Sequence, residues 1–221
     1  MQPFQPPKPA RVTNAIVLTC IAIQLLMTVA GPAFGTELIV RAGLIPARLT
    51  GAVEMDMLAV PAPLTLLTSL FIHGGWLHLG LNLVFLLLVG RMVEWVAGPG
   101  KLLAIFAMGG IAGGLAQVLA TPNSGFPVVG ASGAISAVFA AYATLFARRR
   151  ANARTLLGMN ISSELLTALW FAAVWIGIQL MTGAAFNGQG GGIAIWAHIG
   201  GFVAGLIMAQ PLLRRRQSNL V

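Results

Sequence analysis

The sequence predicts an all-α polytopic membrane protein, a six-transmembrane-helix bundle with a large interfacial first loop. Three observations carry that prediction. Of its 221 residues, 57% are hydrophobic and only 8% are charged, whereas a soluble domain carries about a quarter charged residues. The apolar residues gather in six runs, each close to the length an α-helix rising 1.5 Å per residue needs to cross a ~30 Å hydrocarbon core. The basic residues fall between those runs, where a polytopic membrane protein keeps them. A net charge of +8 spread in this way forms no basic stripe, so the expected surroundings are a lipid bilayer and no nucleic acid.

Each element follows in chain order. Residues 1–13, opening "MQPFQPPKPAR", are too polar and proline-rich to fold and read as a disordered cytoplasmic tail. The membrane domain then covers residues 14–213, with spans at Ala15–Phe34, His78–Val96, Leu102–Ala120, Ala131–Ala147, Leu165–Thr182 and Ile193–Leu213. A cleaved signal segment ending near "AGPA" would instead leave five spans with the same sidedness. Between the first two spans, "GTELIVRAGLIPARLTGAVEMDMLAVPAPL" is too polar to cross but apolar enough to lie in the interface. Residues 214–221 form a second cytoplasmic tail. With both termini cytoplasmic, only Arg41 and Arg48 among the 13 basic residues lie outside, as the positive-inside bias requires. Cys20 is the single cysteine, so neither a disulfide framework nor a cysteine metal site is expected.

Sidedness brings chemistry together. Spans two, four and six all enter from the outside, so His78, Asn82, Ser132 and His198 share one leaflet. Polar groups there are costly and point to function. Span four is short, about 25 Å from Ala131 to Arg148, so Ser132 is submerged at a helix N-terminus whose free N–H groups favour a developing oxyanion. Gly130 and Gly133 allow a tight backbone beside it. "GASG" alone also reads as a packing face, and it is not the G-x-S-x-G elbow of soluble hydrolases. His198 sits about 8 Å into span six, above Gly201 and Gly205, a small-xxx-small face that lets span six approach span four.

Other chemistries lack a component. The five acidic residues are Glu37, Glu54, Asp56, Glu94 and Glu164, none at mid-membrane, which removes a twin-aspartate site. Lys8 and Lys101 are cytoplasmic, which removes a Ser-Lys dyad. No H-E-x-x-H zinc motif occurs. His73 and His78, about 140° apart if both are helical, are poorly placed to chelate a metal together. His78 and Asn82 share a helix face and look like oxyanion donors. The residues alone therefore read as a Ser-His dyad with no third carboxylate, no metal and no cofactor.

At these motifs the chain closely resembles the rhomboid family of intramembrane serine proteases. The matching segments are "HGGWLHLGLN" with His78-x-x-x-Asn82, "GASGA" with Gly130 to Gly133, and "AHIGGFVAG" from Ala197 to Gly205. The resemblance implies a rhomboid-like bundle and cleavage of transmembrane protein substrates near the outer membrane face, without ATP or metal. It makes Ser132 the nucleophile and His198 the general base, then acid. The Ser132 backbone N–H and the His78 and Asn82 side chains become oxyanion donors, with the Ala131 backbone a weaker one. It gives His73 a role in shaping the site and Glu94 one in tying the cytoplasmic helix ends together.

Two positions depart from the family's pattern. Leu64 and Thr65 stand where many relatives carry Trp-Arg, so the anchoring of the first loop is expected to differ. Ser136 stands where several bacterial relatives place an aromatic against the catalytic histidine. Either Ser136 hydrogen-bonds His198 or the ring is packed from elsewhere. The glycine-rich "TGAAFNGQGGGIAIW" reads as a cap loop over the site. Small size without further domains points to a bacterial inner membrane, with a eukaryotic organelle as the alternative. Two other readings are a catalytically inactive client-binding relative and a transporter, the latter requiring charged or broken helices across the midplane.

Overall fold

In the computed structural model, the residues described are 9–147, 154–156, 159–161, 170, 173–174, 177 and 194–217. Most of the span expected at Leu165–Thr182, and the cap loop that follows it, lie outside them.

The first helix, α1, runs Arg11–Ala30, so residues Arg11 to Thr13, expected in the tail, are helical. The physical cause is an acid from another helix. The Glu94 carboxylate accepts the Val12 and Thr13 N–H groups at 2.9 and 2.8 Å and the Thr13 hydroxyl at 2.7 Å. It satisfies donors that a helix start otherwise leaves unpaired, with the charge sign the macrodipole favours. Glu94 thereby ties two helix ends together on the side opposite Ser132.

The span expected to reach Phe34 ends at Ala30. Gly31 adopts φ +92°, open to glycine and strained for other residues. Pro32 then starts a second helix, α2, Pro32–Ala42, at the position where a missing N–H costs nothing. The first loop continues through a short α3, Pro46–Leu49, and α4, Thr65–Thr68. Several of its anchors lie within the loop itself. Arg48 Nη2 donates to the Val60 carbonyl at 2.8 Å, Thr68 Oγ1 to the Ala42 carbonyl at 2.6 Å, and Arg41 pairs with Glu37 and Asp56. Thr65 is buried at its centre while Leu64 is exposed. Met57 and Leu58 project from the turn that Arg41 and Asp56 hold.

Next come α5, Trp76–Ala97, and α6, Pro99–Ala120, each 22 residues and apolar. With α1, these are the helices among the described residues long and apolar enough to cross a membrane. A π turn at Leu86–Gly90 interrupts α5. The fourth and sixth expected spans appear as α7, Ser132–Ala147, and α8, Ile195–Gln217. The described part of α8 takes in Arg214 to Arg216, expected in the tail. A two-stranded antiparallel ribbon pairs β1, Arg154–Leu156, with β2, Met159–Ile161.

The core draws on α1, α5, α6 and α7, with Ile16, Leu86, Phe106 and Ile135 buried in it, and where α6, α7 and α8 meet the contact is made by absent side chains. A Cβ at Gly109 would overlap the Ala137 methyl, one at Gly113 the Ala197 carbonyl, and one at Gly205 the Ala137 carbonyl. Backbones this close gain dispersion contacts along their whole length, which is how helices associate where lipid removes the hydrophobic drive. The inner face of α7 is buried almost throughout, from Ala131 to Ala141.

Candidate active site

The segment before α7 is drawn taut by the first loop. Leu44 and Val128 exchange two backbone hydrogen bonds, Leu44 N–H to Val128 at 3.0 Å and Val128 N–H to Leu44 at 2.7 Å. Gly130 N–H donates to the Ser69 carbonyl at 2.9 Å, and Ala131 N–H to His73 Nε2 at 3.4 Å. These ties deliver the chain to Ser132 in a fixed direction. Gly130 makes the turn at φ +117°, and its bare Cα faces the His78 ring, since a Cβ there would lie 2.7 Å from Nε2. Ser132 then opens α7, where the first N–H groups have no partner within the helix.

His198 reaches Ser132 from α8. Its Nε2 lies 2.7 Å from Ser132 Oγ, a short hydrogen-bond distance for a hydroxyl and an imidazole nitrogen. The glycines permit it. A Cβ at Gly133 would lie 3.2 Å from the Ala197 carbonyl oxygen, and one at Gly201 would overlap the Gly133 carbonyl. His198 is 5% exposed, while Ser132 is half-buried, so the ring is sheltered and the hydroxyl remains accessible. A hydroxyl so placed can transfer its proton to the ring as it attacks an electrophile, which is the chemistry of an activated serine.

The neighbouring polar groups come from α5. His78 Nδ1 accepts the Gly74 N–H at 3.3 Å, so in the neutral ring the proton sits on Nε2, the nitrogen facing Gly130. Asn82, one turn on and buried, donates through Nδ2 to the His78 carbonyl at 2.9 Å. The His73 and His78 rings stand edge to face with centroids 5.2 Å apart. His73 Nδ1 is buried near the Phe71 backbone without a hydrogen bond of full geometry. The His73 pKa is pushed down to about 3, by burial first and then by the adjacent His78 ring, so His73 is neutral and free to accept the Ala131 N–H. Ser136, fully buried, donates to the Ser132 carbonyl at 2.8 Å.

The structure therefore draws Ser132, His198, His78, His73, Gly130 and Gly133 into one cluster. Asn82 stands one turn along α5, and Gly201 and Gly205 line the helix contact beneath it. The Ala131 N–H is engaged by His73, a tie that helix spacing could not reveal because it joins a loop residue to a helix start. Among the described residues no group of three or more His, Cys, Asp or Glu is arranged to hold a metal ion.

A family model described as "Rhomboid domain" matches residues 62–215. The chain belongs to the rhomboid family. Among similar proteins, Rhomboid protease GluP of Bacillus subtilis is 30% identical over 196 residues, covering 87% of this chain and 34% of that protein. Putative rhomboid protease YdcA of the same organism is 27% identical over 152 residues, covering 69% of this chain and 68% of that protein. Human Rhomboid-related protein 3 is 29% identical over 157 residues, or 70% of this chain and 37% of that protein. The chain spans about a third to a half of the length of several curated relatives that it matches. Family membership and the long apolar helices make this rhomboid an integral membrane protein.

Proposed function

We propose that this rhomboid is an intramembrane serine endopeptidase that cleaves transmembrane segments of protein substrates near the outer membrane face. The observation that carries the reading is the 2.7 Å separation of His198 Nε2 and Ser132 Oγ. In this reading Ser132 Oγ attacks the scissile carbonyl while His198 Nε2 takes its proton. The carbonyl oxygen becomes an oxyanion, met by the Ser132 N–H, the Nε2–H of His78 and the amide of Asn82. Such donors, fixed by the fold before the charge develops, stabilise it without reorganising. The Ala131 N–H joins them only when His73 releases it. His198 then protonates the leaving amine, and a water it deprotonates hydrolyses the acyl-enzyme, as for a serine-histidine pair on any fold.

The same proposal sets the surroundings. The membrane domain, expected over residues 14–213, extends from the start of α1 at Arg11 to the end of α8 at Gln217, with both chain ends cytoplasmic, in a bacterial inner membrane. Partners are transmembrane proteins and the bilayer, and no metal or other cofactor takes part. The test is cleavage of a transmembrane reporter in liposomes by wild type, Ser132→Ala and His198→Ala. Both substitutions should abolish cleavage, and activity surviving either one refutes the dyad.

A further inference from the structure

The first turn of α5 carries His78 and leads to Asn82, yet its backbone starts with little to fix it. Gly74 and Gly75 precede it, Gly75 at φ +151°, and the N-cap residue offers no side-chain cap. Leu77 is exposed, and a Cβ at Gly80 would meet nothing within 4 Å. Leu79 is buried at 1%, but apolar burial is non-directional. The hydrogen bonds of Glu94 to α1 lie about five turns away at the other end of α5, beyond the π turn, so they set this first turn only loosely. Among the described residues, the directional tie from another helix to this turn is made by Trp76. Its indole Nε1–H donates to Thr28 Oγ1, in the last turn of α1, at 3.2 Å. The Thr28 hydroxyl is itself oriented, donating to the Gln24 carbonyl at 2.8 Å, so its lone pairs remain for the indole. Trp76 is 48% exposed, as suits an indole at a membrane boundary.

We propose that Trp76 is a positioning residue: held by Thr28, it pins the start of α5 to α1 and thereby sets where His78 and Asn82 stand relative to Ser132. The inference rests on the oxyanion role proposed above for those two side chains. Leverage makes it matter. A side-chain tip about 6 Å from the helix axis moves about 1 Å for each 10° of rotation, and a 1 Å misplacement at a reacting centre costs up to about 100-fold. Gly74 adds a second consequence. It donates the bond that keeps His78 in its Nε2–H form, and it lies two residues before Trp76, so a loosened turn disturbs both the position and the tautomer of the ring.

The test uses the full chain in liposomes. Trp76→Phe keeps the ring and removes the N–H; Thr28→Val keeps the shape and removes the acceptor. Each should lower kcat on a transmembrane reporter about three- to ten-fold, the worth of one hydrogen bond, with KM within about two-fold of wild type. The double variant should be no worse than either single one, and Thr28→Ser should restore wild-type rates. Amide hydrogen exchange gives a readout independent of cleavage. Residues 74–79 should exchange faster in Trp76→Phe and Thr28→Val, with α7 unchanged. Wild-type kcat and exchange in both variants, or losses that add in the double variant, overturn the proposal. If the wild type cleaves nothing while exchange at 74–79 still rises in the variants, the protease reading fails and the latch stands.

Discussion

Gly201 lies so close to Gly133 that no side chain fits between α8 and α7: a Cβ at Gly201 would overlap the Gly133 carbonyl oxygen and stand 2.9 Å from its carbon. The contact lies one residue past Ser132 on α7 and three past His198 on α8, and it fixes how far apart the two helices stand there. Gly201→Ala should therefore cost about 1–3 kcal/mol, the range for overpacking a filled core, and should lengthen the Ser132–His198 bond. The check is a lowered Tm in detergent together with slower labelling of Ser132 by a fluorophosphonate. Wild-type labelling in the alanine variant would show that the spacing is set elsewhere.

Gly130 poses a different constraint. Its φ of +117° is strained for any L side chain, and a Cβ there would stand 2.7 Å from His78 Nε2 and 2.8 Å from Cε1. Gly130→Ala should displace the His78 ring from the oxyanion position more than it unfolds the protein, because the segment stays tied at Val128 and Ala131. Loss of one such donor costs about 100- to 1,000-fold in kcat. The expected result is a fall of that order with Tm lowered by only a few degrees, and kcat within ten-fold of wild type would count against His78 as a donor.

How much of this was legible in the sequence depends on what hydropathy records. The approach of His198 to Ser132 could be inferred because helix rise converts sequence position into depth, and Gly201 and Gly205 announce a close contact. The end of α1 is invisible to hydropathy, because apolar residues run on to Phe34; the signal that carried it was the Gly31-Pro32 pair, a breaker followed by a helix start. The π turn at Leu86–Gly90 is equally silent, five apolar residues in an apolar run. The engagement of the Ala131 N–H by His73 needs the register between a loop and a helix start. The Trp76–Thr28 bond needs the crossing of two helices. Neither carries a periodic signal.

Glu94 closes the other end of the bundle. Three donors from Val12 and Thr13 converge on its carboxylate, and it is 5% exposed. Glu94→Ala leaves them buried without a partner, at about 1–3 kcal/mol for each unsatisfied group, so α1 should fray from Arg11. Glu94→Gln keeps one acceptor oxygen and should recover part of the loss. Hydrogen exchange over residues 12–17 should rise in the order wild type, Gln, Ala. Equal exchange in the three would mean that α1 is held by its apolar stripe alone.

His73 makes the fold sensitive to acid. It is 1% exposed, and its pKa is pushed down from 6.5 to about 3 by burial and by the neighbouring His78 ring. The folded state thus prefers the neutral ring, and the unfolded chain takes up a proton first as pH falls. Stability from this residue is fully present above about pH 6.5 and is lost progressively as pH falls toward 3, at up to about 1.4 kcal/mol per pH unit. The Ala131 N–H would lose its acceptor only when the ring finally gains its proton on Nε2. His73→Gln retains an acceptor for that N–H but cannot titrate. Below about pH 6.5 the Tm of wild type should therefore fall more steeply than that of His73→Gln, with the two curves parallel between pH 7 and 8. Parallel curves down to pH 4 would mean that His73 gains its proton as readily in the fold as in the unfolded chain.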